Sequence, residues 1–181
     1  MSQTIDPVGT PDAYRASLLA ELGDDDPAIV QAETVTALRA LVAAAGDRLR
    51  IRPEPGEWSV LECIGHIADG ELVAATRERW ILAEDVPDIV GYDQALWVDR
   101  LDHNADDPAL LLALFEAVRR ANLDLWVRRP AEDRARVGHH RERGDESYEM
   151  TFRLGAGHDR VHLAQARRAL EAVTRSGRSL A

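Results

Sequence analysis

The stretch LGAGHDRVHLAQARRAL, Leu154–Leu170, decides the fold. At ~100° per residue, Leu154, Val161, Ala166, Ala169 and Val173 share one side of a helical wheel, while Glu149, Arg153, Arg160, Arg167 and Glu171 gather on the other. That is a helix with one apolar stripe, and only neighbouring helices can cover it. The stripe is interrupted along its centre. His158 and His162, with Thr151 and Gln165, lie where the helix should be burying carbon. An imidazole buried without partners costs ~1–3 kcal/mol, so something must satisfy the pair.

The same pattern recurs upstream. DDPAIVQAETVTALRALVAAAG opens on an acidic cap with proline in its first turn and stops at Gly46. A shorter helical piece, about Ala13 to Leu22, precedes it. Ser59 and Glu62 form a capping-box pattern after the rigid connector RPEPGEWS, and open a helix running to about Glu84. Asp107-Pro108 opens the next, and Ser147 caps the last, which continues to about Thr174. The two long connectors are Asp85–Asp106, with a short helix near Gln94–Leu101, and Arg129–Glu146, read as a polar loop. Alternating β-branched runs and Asn-Gly turns are missing. The expectation is all-α: one four-helix bundle across residues 1–181, with long crossover connections.

Composition narrows the function classes. The 181 residues carry a formal net charge of −10, and all 22 basic residues are arginine. That field repels a phosphate backbone, so nucleic acid is not an expected partner. No unbroken apolar run reaches the ~20 residues of a membrane span, and MSQTIDPVGTPDAY lacks the basic-then-apolar order of a secretion signal. One cysteine, Cys63, excludes an internal disulfide and suits a reducing cytoplasm. A homodimer is compatible with such helices.

Histidines at i and i+4 can share one divalent ion at ~2.0–2.1 Å. Ordinary core histidines bonded to backbone or carboxylates explain HxxxH about as well. His66, beside the apolar face of the second long helix and flanked by small Cys63 and Gly70, is the candidate third ligand.

RPEPGEWSVLECIGHIADGE (Arg52–Glu71), followed some ninety residues on by GHDRVHLAQ (Gly157–Gln165), resembles the DinB/YfiT-like superfamily of bacterial four-helix bundles. The likeness spans essentially the whole chain, and GHHRERG (Gly138–Gly144) also resembles a loop of that group. The resemblance implies up-down-down-up connectivity and a divalent metal held by His66, His158 and His162. It also implies chemistry with a low-molecular-weight thiol, because related members include bacillithiol- and mycothiol-dependent S-transferases and a mycothiol-dependent isomerase.

Three neutral imidazoles leave an ion its full charge and an open position. The expected function is therefore a metal-dependent enzyme that activates a small thiol for transfer or isomerisation. The alternatives are a metal-dependent hydrolase and a non-catalytic, metal-stabilised bundle. Zinc and nickel lead, with cobalt and ferrous iron compatible. Two further residues are catalytic candidates. Arg119 lies on an inward stripe and needs an anionic partner, either Glu71 or a ligand carboxylate. His140, ahead of the last helix, is a candidate acid/base group or fourth ligand, with His139 facing solvent. Cys63 is expected to be a buried apolar thiol, and His103 has no assigned role. Asp69, Glu62 and Asp159 are candidates to orient the imidazoles.

Overall fold

The helices begin where short polar side chains satisfy their free N–H groups. In the computed structural model, which describes residues 9–179, α1 is Pro11–Leu22 and α2 is Pro27–Ala45. The secretion-signal reading rests largely on residues 1–8, outside those described. Asp26 accepts from the Ala28 N–H at 2.8 Å to start α2. At α3, Val60–Ala83, Ser59 Oγ accepts from the Glu62 N–H at 3.1 Å, and the Glu62 carboxylate accepts from the Ser59 N–H at 2.8 Å. The short α4, Gln94–Arg100, and the long α5, Pro108–Val127, are capped by Asp93 and Asp107. A single turn, α6 (Ala131–Arg134), precedes the sheet, and α7 spans Tyr148–Ser179, with Ser147 Oγ accepting from the Met150 N–H.

Cross-helix bonds give the connectivity. Gln31 bonds the Phe152 carbonyl and Thr34 bonds Asp159, so α2 and α7 run parallel. Glu71 meets Arg119 and Arg79 meets Asn122, so α3 and α5 are parallel too. His66 meets His162 while Gly70 faces His158, which makes α3 antiparallel to α7. Arg119 reaching the Gln31 carbonyl while Arg39 pairs with Glu116 makes α2 antiparallel to α5. The order is up, down, down, up. Outside the bundle, α1 lies directly on α7. A Cβ on Gly157 would sit 2.0 Å from the Leu18 carbonyl oxygen, so only glycine permits that approach.

The second connector is not the loop expected. β2 (Val137–His140) and β3 (Gly144–Ser147) form an antiparallel hairpin, and β1 (Asp88–Ile89) pairs with β2 in parallel. Both crossovers are thus laced together by one small sheet, an addition to a predominantly helical fold. Side chains alternate along β2, so Gly138 and His140 are buried while His139 is exposed. These strands are too short and too polar to carry a hydrophobic period.

Two apolar clusters flank a polar middle. Leu38, Leu61, Ile64 and Phe115 lie in one. In the other, the Trp126 and Phe152 rings stack 4.0 Å apart beside Tyr148 and Ile81. Pro27–Arg48 is long and apolar enough to span a membrane by length and composition, contrary to the reading of the sequence alone. It is a bundle helix, burying Leu38 and Leu41 in the core and making buried hydrogen bonds through Gln31 and Thr34.

Candidate metal centre

The antiparallel packing of α3 on α7 brings three ring nitrogens together. His66 Nε2 lies 2.9 Å from His158 Nε2 and 3.2 Å from His162 Nε2. All three ligand atoms fall within 4.8 Å of one another. An ion ~2.0–2.1 Å from each nitrogen would set such edges at roughly 2.9 Å for right-angled arms and roughly 3.3 Å for tetrahedral ones. The donor set therefore fits a divalent cation.

The surroundings favour the neutral, metal-ready form of each ring. Burial pushes His66 well below its ordinary 6.5, with His162 and His158 adding to it. Burial and then Arg119 take His158 down to about 4, and burial and then His158 take His162 to about 3. Gln165 Oε1 lies 2.9 Å from His162 Nδ1. A proton on that Nδ1 leaves the Nε2 lone pair facing the centre. Trp58 walls the site, its ring centroid 5.1 Å from that of His66. Gly70 makes room for the third ligand, since a Cβ there would lie 3.1 Å from His158 Cε1. His66 Nδ1, the ring nitrogen away from the centre, is buried with no partner among the described residues.

A four-helix network adjoins the centre. Arg119 Nη1 donates to Asp159 Oδ2 at 2.5 Å and to the Gln31 carbonyl at 3.0 Å. Its Nη2 donates to Glu71 Oε2 at 2.7 Å, and Thr34 donates to Asp159 at 2.8 Å. Asn122 completes it with a bond to Glu71 at 2.7 Å. Arg119 is thus held by two buried carboxylates, and its side chain is 2% exposed. Asp159, the neighbour of His158, reaches Arg119 and Thr34 and not an imidazole. Glu62 is engaged by Ser59 and Arg52. Asp69 bonds His103, whose other nitrogen contacts Asp106 at 2.7 Å. None of these three acids orients a metal-facing ring; among the described residues Gln165 does so, at His162. His103 has a structural job that its acidic connector concealed, pinning the turn His103–Ala105 to α3.

A cavity of about 470 Å³ opens beside the centre, and His158 is the imidazole of the three that lines it. His140, on β2, lines it as well. Its Nδ1 accepts from the Glu142 N–H at 3.3 Å, and its Nε2, the nitrogen left to carry the proton, is buried without a partner among the described residues. Burial, then Arg143 and Arg77, push His140 down to about 4. It is not among the clustered ligand atoms. His139 faces outward and contacts Asp145. Cys63 is fully buried, and burial pushes its thiol up to about 12.

Bundle topology, a histidine on α3 and the paired histidines of α7 coincide with a match to the DinB superfamily over residues 29–166. The chain belongs to the DinB superfamily. YfiT from Bacillus subtilis, described as having an unusual four-helix bundle topology, superposes with a TM-score of 0.71 at 22% identity, covering 98% of this chain and 93% of that one. Relatives named "putative metal-dependent hydrolase" include one from Oceanobacillus iheyensis, 30% identical over 60% of this chain and 63% of its own length. One from Geobacillus thermodenitrificans is 34% identical over 50% of this chain and 53% of its own length. This DinB chain therefore spans less than two thirds of either relative.

Proposed function

We propose that this DinB-superfamily chain is a metal-dependent enzyme, with hydrolysis as its first reaction class. One observation carries the reading: three neutral imidazole Nε2 atoms converge, 2.9 and 3.2 Å from the shared His66, beside a cavity large enough for a substrate. His66, His158 and His162 would hold the ion, with zinc or nickel the leading candidates and cobalt or ferrous iron compatible with the same donors. Such an ion would lower the pKa of bound water or thiol toward neutrality and so supply a nucleophile.

The chain's own residues do the rest. Gln165 fixes the ring of His162, and the Arg119–Asp159 pair fixes the segment of α7 that carries His158. His140 offers an unpartnered Nε2 to the cavity. Held near 4, it is neutral at pH 7, and with Nδ1 accepting from the Glu142 N–H its proton lies on Nε2, which suits it to donate a hydrogen bond and orient the reacting group. Arg119 acts through position only, because both of its carboxylate partners are protein.

The second reading takes a low-molecular-weight thiol as nucleophile, for transfer or isomerisation. The protein's sole thiol is buried and held protonated, so any reacting sulfur has to arrive as a small molecule. A reducing cytoplasm would supply it.

Metal content of untagged protein tests the centre, and two assays on the loaded protein separate the readings. Thiol titration of the cobalt-substituted form gives an intense sulfur-to-metal band if the thiol reading is correct. Turnover of ester or amide substrates with no such band supports hydrolysis. Metal that raises stability while neither assay responds returns the bundle to the non-catalytic class.

A further inference from the structure

Arg77 is a guanidinium with no ion-pair partner among the described residues. On α3 it turns toward the cavity, where Nη2 donates to the Val90 carbonyl at 2.8 Å and Nε is buried with no partner. Among the described residues no carboxylate oxygen lies within the 4.0 Å of an ion pair. Its neighbour Arg143, also on the cavity wall, is engaged bidentately by Glu146 at 2.6 and 2.7 Å. Burial, and then Arg143, push Arg77 down to about 10. Arg119 is desolvated too, but it has Asp159 and Glu71 against it. Arg48, Arg120 and Arg167, which also have no carboxylate, are exposed to solvent, and half-buried Arg134 is held by two backbone carbonyls and the Trp126 ring. Arg77 is half-buried with its Nε enclosed, and a guanidinium so placed, with no carboxylate to pair with, is a receptor for an anion.

The cavity around it has matching parts. Tyr14 and Tyr92 line it, burial raises the pKa of both, and neither hydroxyl has a hydrogen-bond partner among the described residues. Both are neutral donors at pH 7. Val73 and Ala74 form an apolar floor between Arg77 and Gly70, the residue facing His158. Arg77 lies seven positions beyond Gly70 on α3, roughly 10 Å along the helix axis. Glu142 and Glu146 stand close enough to raise Arg77 slightly, and they disfavour a dianion.

We propose that Arg77 receives the carboxylate of the substrate, and that the substrate class is a small organic monoacid whose apolar body lies along Val73 and Ala74 toward His158. The word substrate rests on the metal-centred reading above; the binding of the acid does not. Arg119, the arginine that sequence periodicity pointed to for this role, is already saturated by protein.

Hexanoate and its uncharged counterpart hexanamide are the probes, titrated into zinc-loaded protein while the arginine Nε–H resonances are followed by NMR. Hexanoate is expected to shift the Arg77 Nε–H signal and hexanamide to leave it in place. Arg77→Gln should weaken hexanoate at least ~10-fold, the scale of a charge-assisted contact, with Arg77→Lys in between. Should Arg77→Gln fail to fold, the lysine variant and the two probes on the wild-type chain still decide. Equal binding of both probes, no binding up to the solubility of hexanoate, or equal binding to wild type and Arg77→Gln would overturn the assignment, the last because the acid would have gone to the ion. Zinc stoichiometry is read separately. A chain that takes no zinc yet binds hexanoate through Arg77 removes the metal reading and leaves the acid site standing.

Discussion

Arg119 grips Asp159 with contacts of 2.5 and 3.2 Å, and Asp159 is the residue after His158. One guanidinium therefore ties α5 to the helix carrying two of the three imidazoles, while its other arm holds Glu71 on α3. Replacing it with leucine leaves two buried carboxylates uncompensated. Arg119→Leu should cost ~3–5 kcal/mol in urea unfolding, the usual scale for breaking a buried pair from one side. Arg119→Lys should cost less, since a point charge reaches one carboxylate well and not both. A leucine variant as stable as wild type would refute the network as drawn.

The three site imidazoles should make the metal-free protein acid-sensitive. In the unfolded chain each takes a proton near 6.5, whereas in the fold His158 waits until about 4 and His162 until about 3. Between those values the unfolded state binds more protons, so stability falls as pH drops. Through these rings, urea midpoints of chelator-treated protein are expected to decline as pH falls from ~6.5 toward ~4. His158→Gln and His162→Gln should each flatten the decline. An unchanged slope in both variants would mean that these rings are not neutral in the fold.

How much of this was legible in advance depends on the range of each signal. His158 and His162 are one turn apart on one helix, so a wheel reveals them. Arg119 on an inward stripe announces a buried partner, and Glu71 on another inward stripe was the natural candidate. Asp159 was less visible, because its position on the rim of α7 reads equally well as solvated. Thr34 and Gln31 join the network through the parallel packing of α2 on α7, which no single-helix pattern contains. The hairpin Val137–Ser147 hid for a different reason: strands as polar as VGHH and GDES have no alternation of apolar side chains to detect. His140 was singled out as a loop histidine. Its burial comes from the parity of β2, which the registers with β1 and β3 establish.

Gly70 offers a narrow test of the centre. A methyl group there would stand 3.1 Å from His158 Cε1, tighter than ordinary contact, and the ring has to shift. Alanine suits a helix better than glycine by ~1 kcal/mol, so helix propensity does not predict damage. The expected result of Gly70→Ala is metal affinity ~10-fold weaker in competition with a chromophoric chelator, comparable to losing a residue that positions a ligand. Thermal stability of the metal-free form should change little. Wild-type affinity in this variant would show that His158 has slack, and would weaken its assignment as a ligand.

His103 should produce the opposite pH dependence. Its Nε2 lies 2.8 Å from Asp69 and its Nδ1 2.7 Å from Asp106, and the bond to Asp69 is the main reason its pKa stands above 6.5. A raised pKa means that the fold binds the proton more tightly than the unfolded chain. Its contribution is complete below 6.5 and is lost as pH rises through the folded value. Glutamine at 103 should therefore lower stability most on the acidic side and remove a downward slope on the alkaline side, leaving the acid-sensitive arm of the site histidines in place. Gly65→Ala is an independent probe, because its Cβ would meet the His103 ring at 2.4 Å and displace it. The two variants should share one alkaline profile in urea titrations from pH ~6 to ~9. If that slope survives in both, the proton resides elsewhere and the clamp between Asp69 and Asp106 is not what holds the turn to α3.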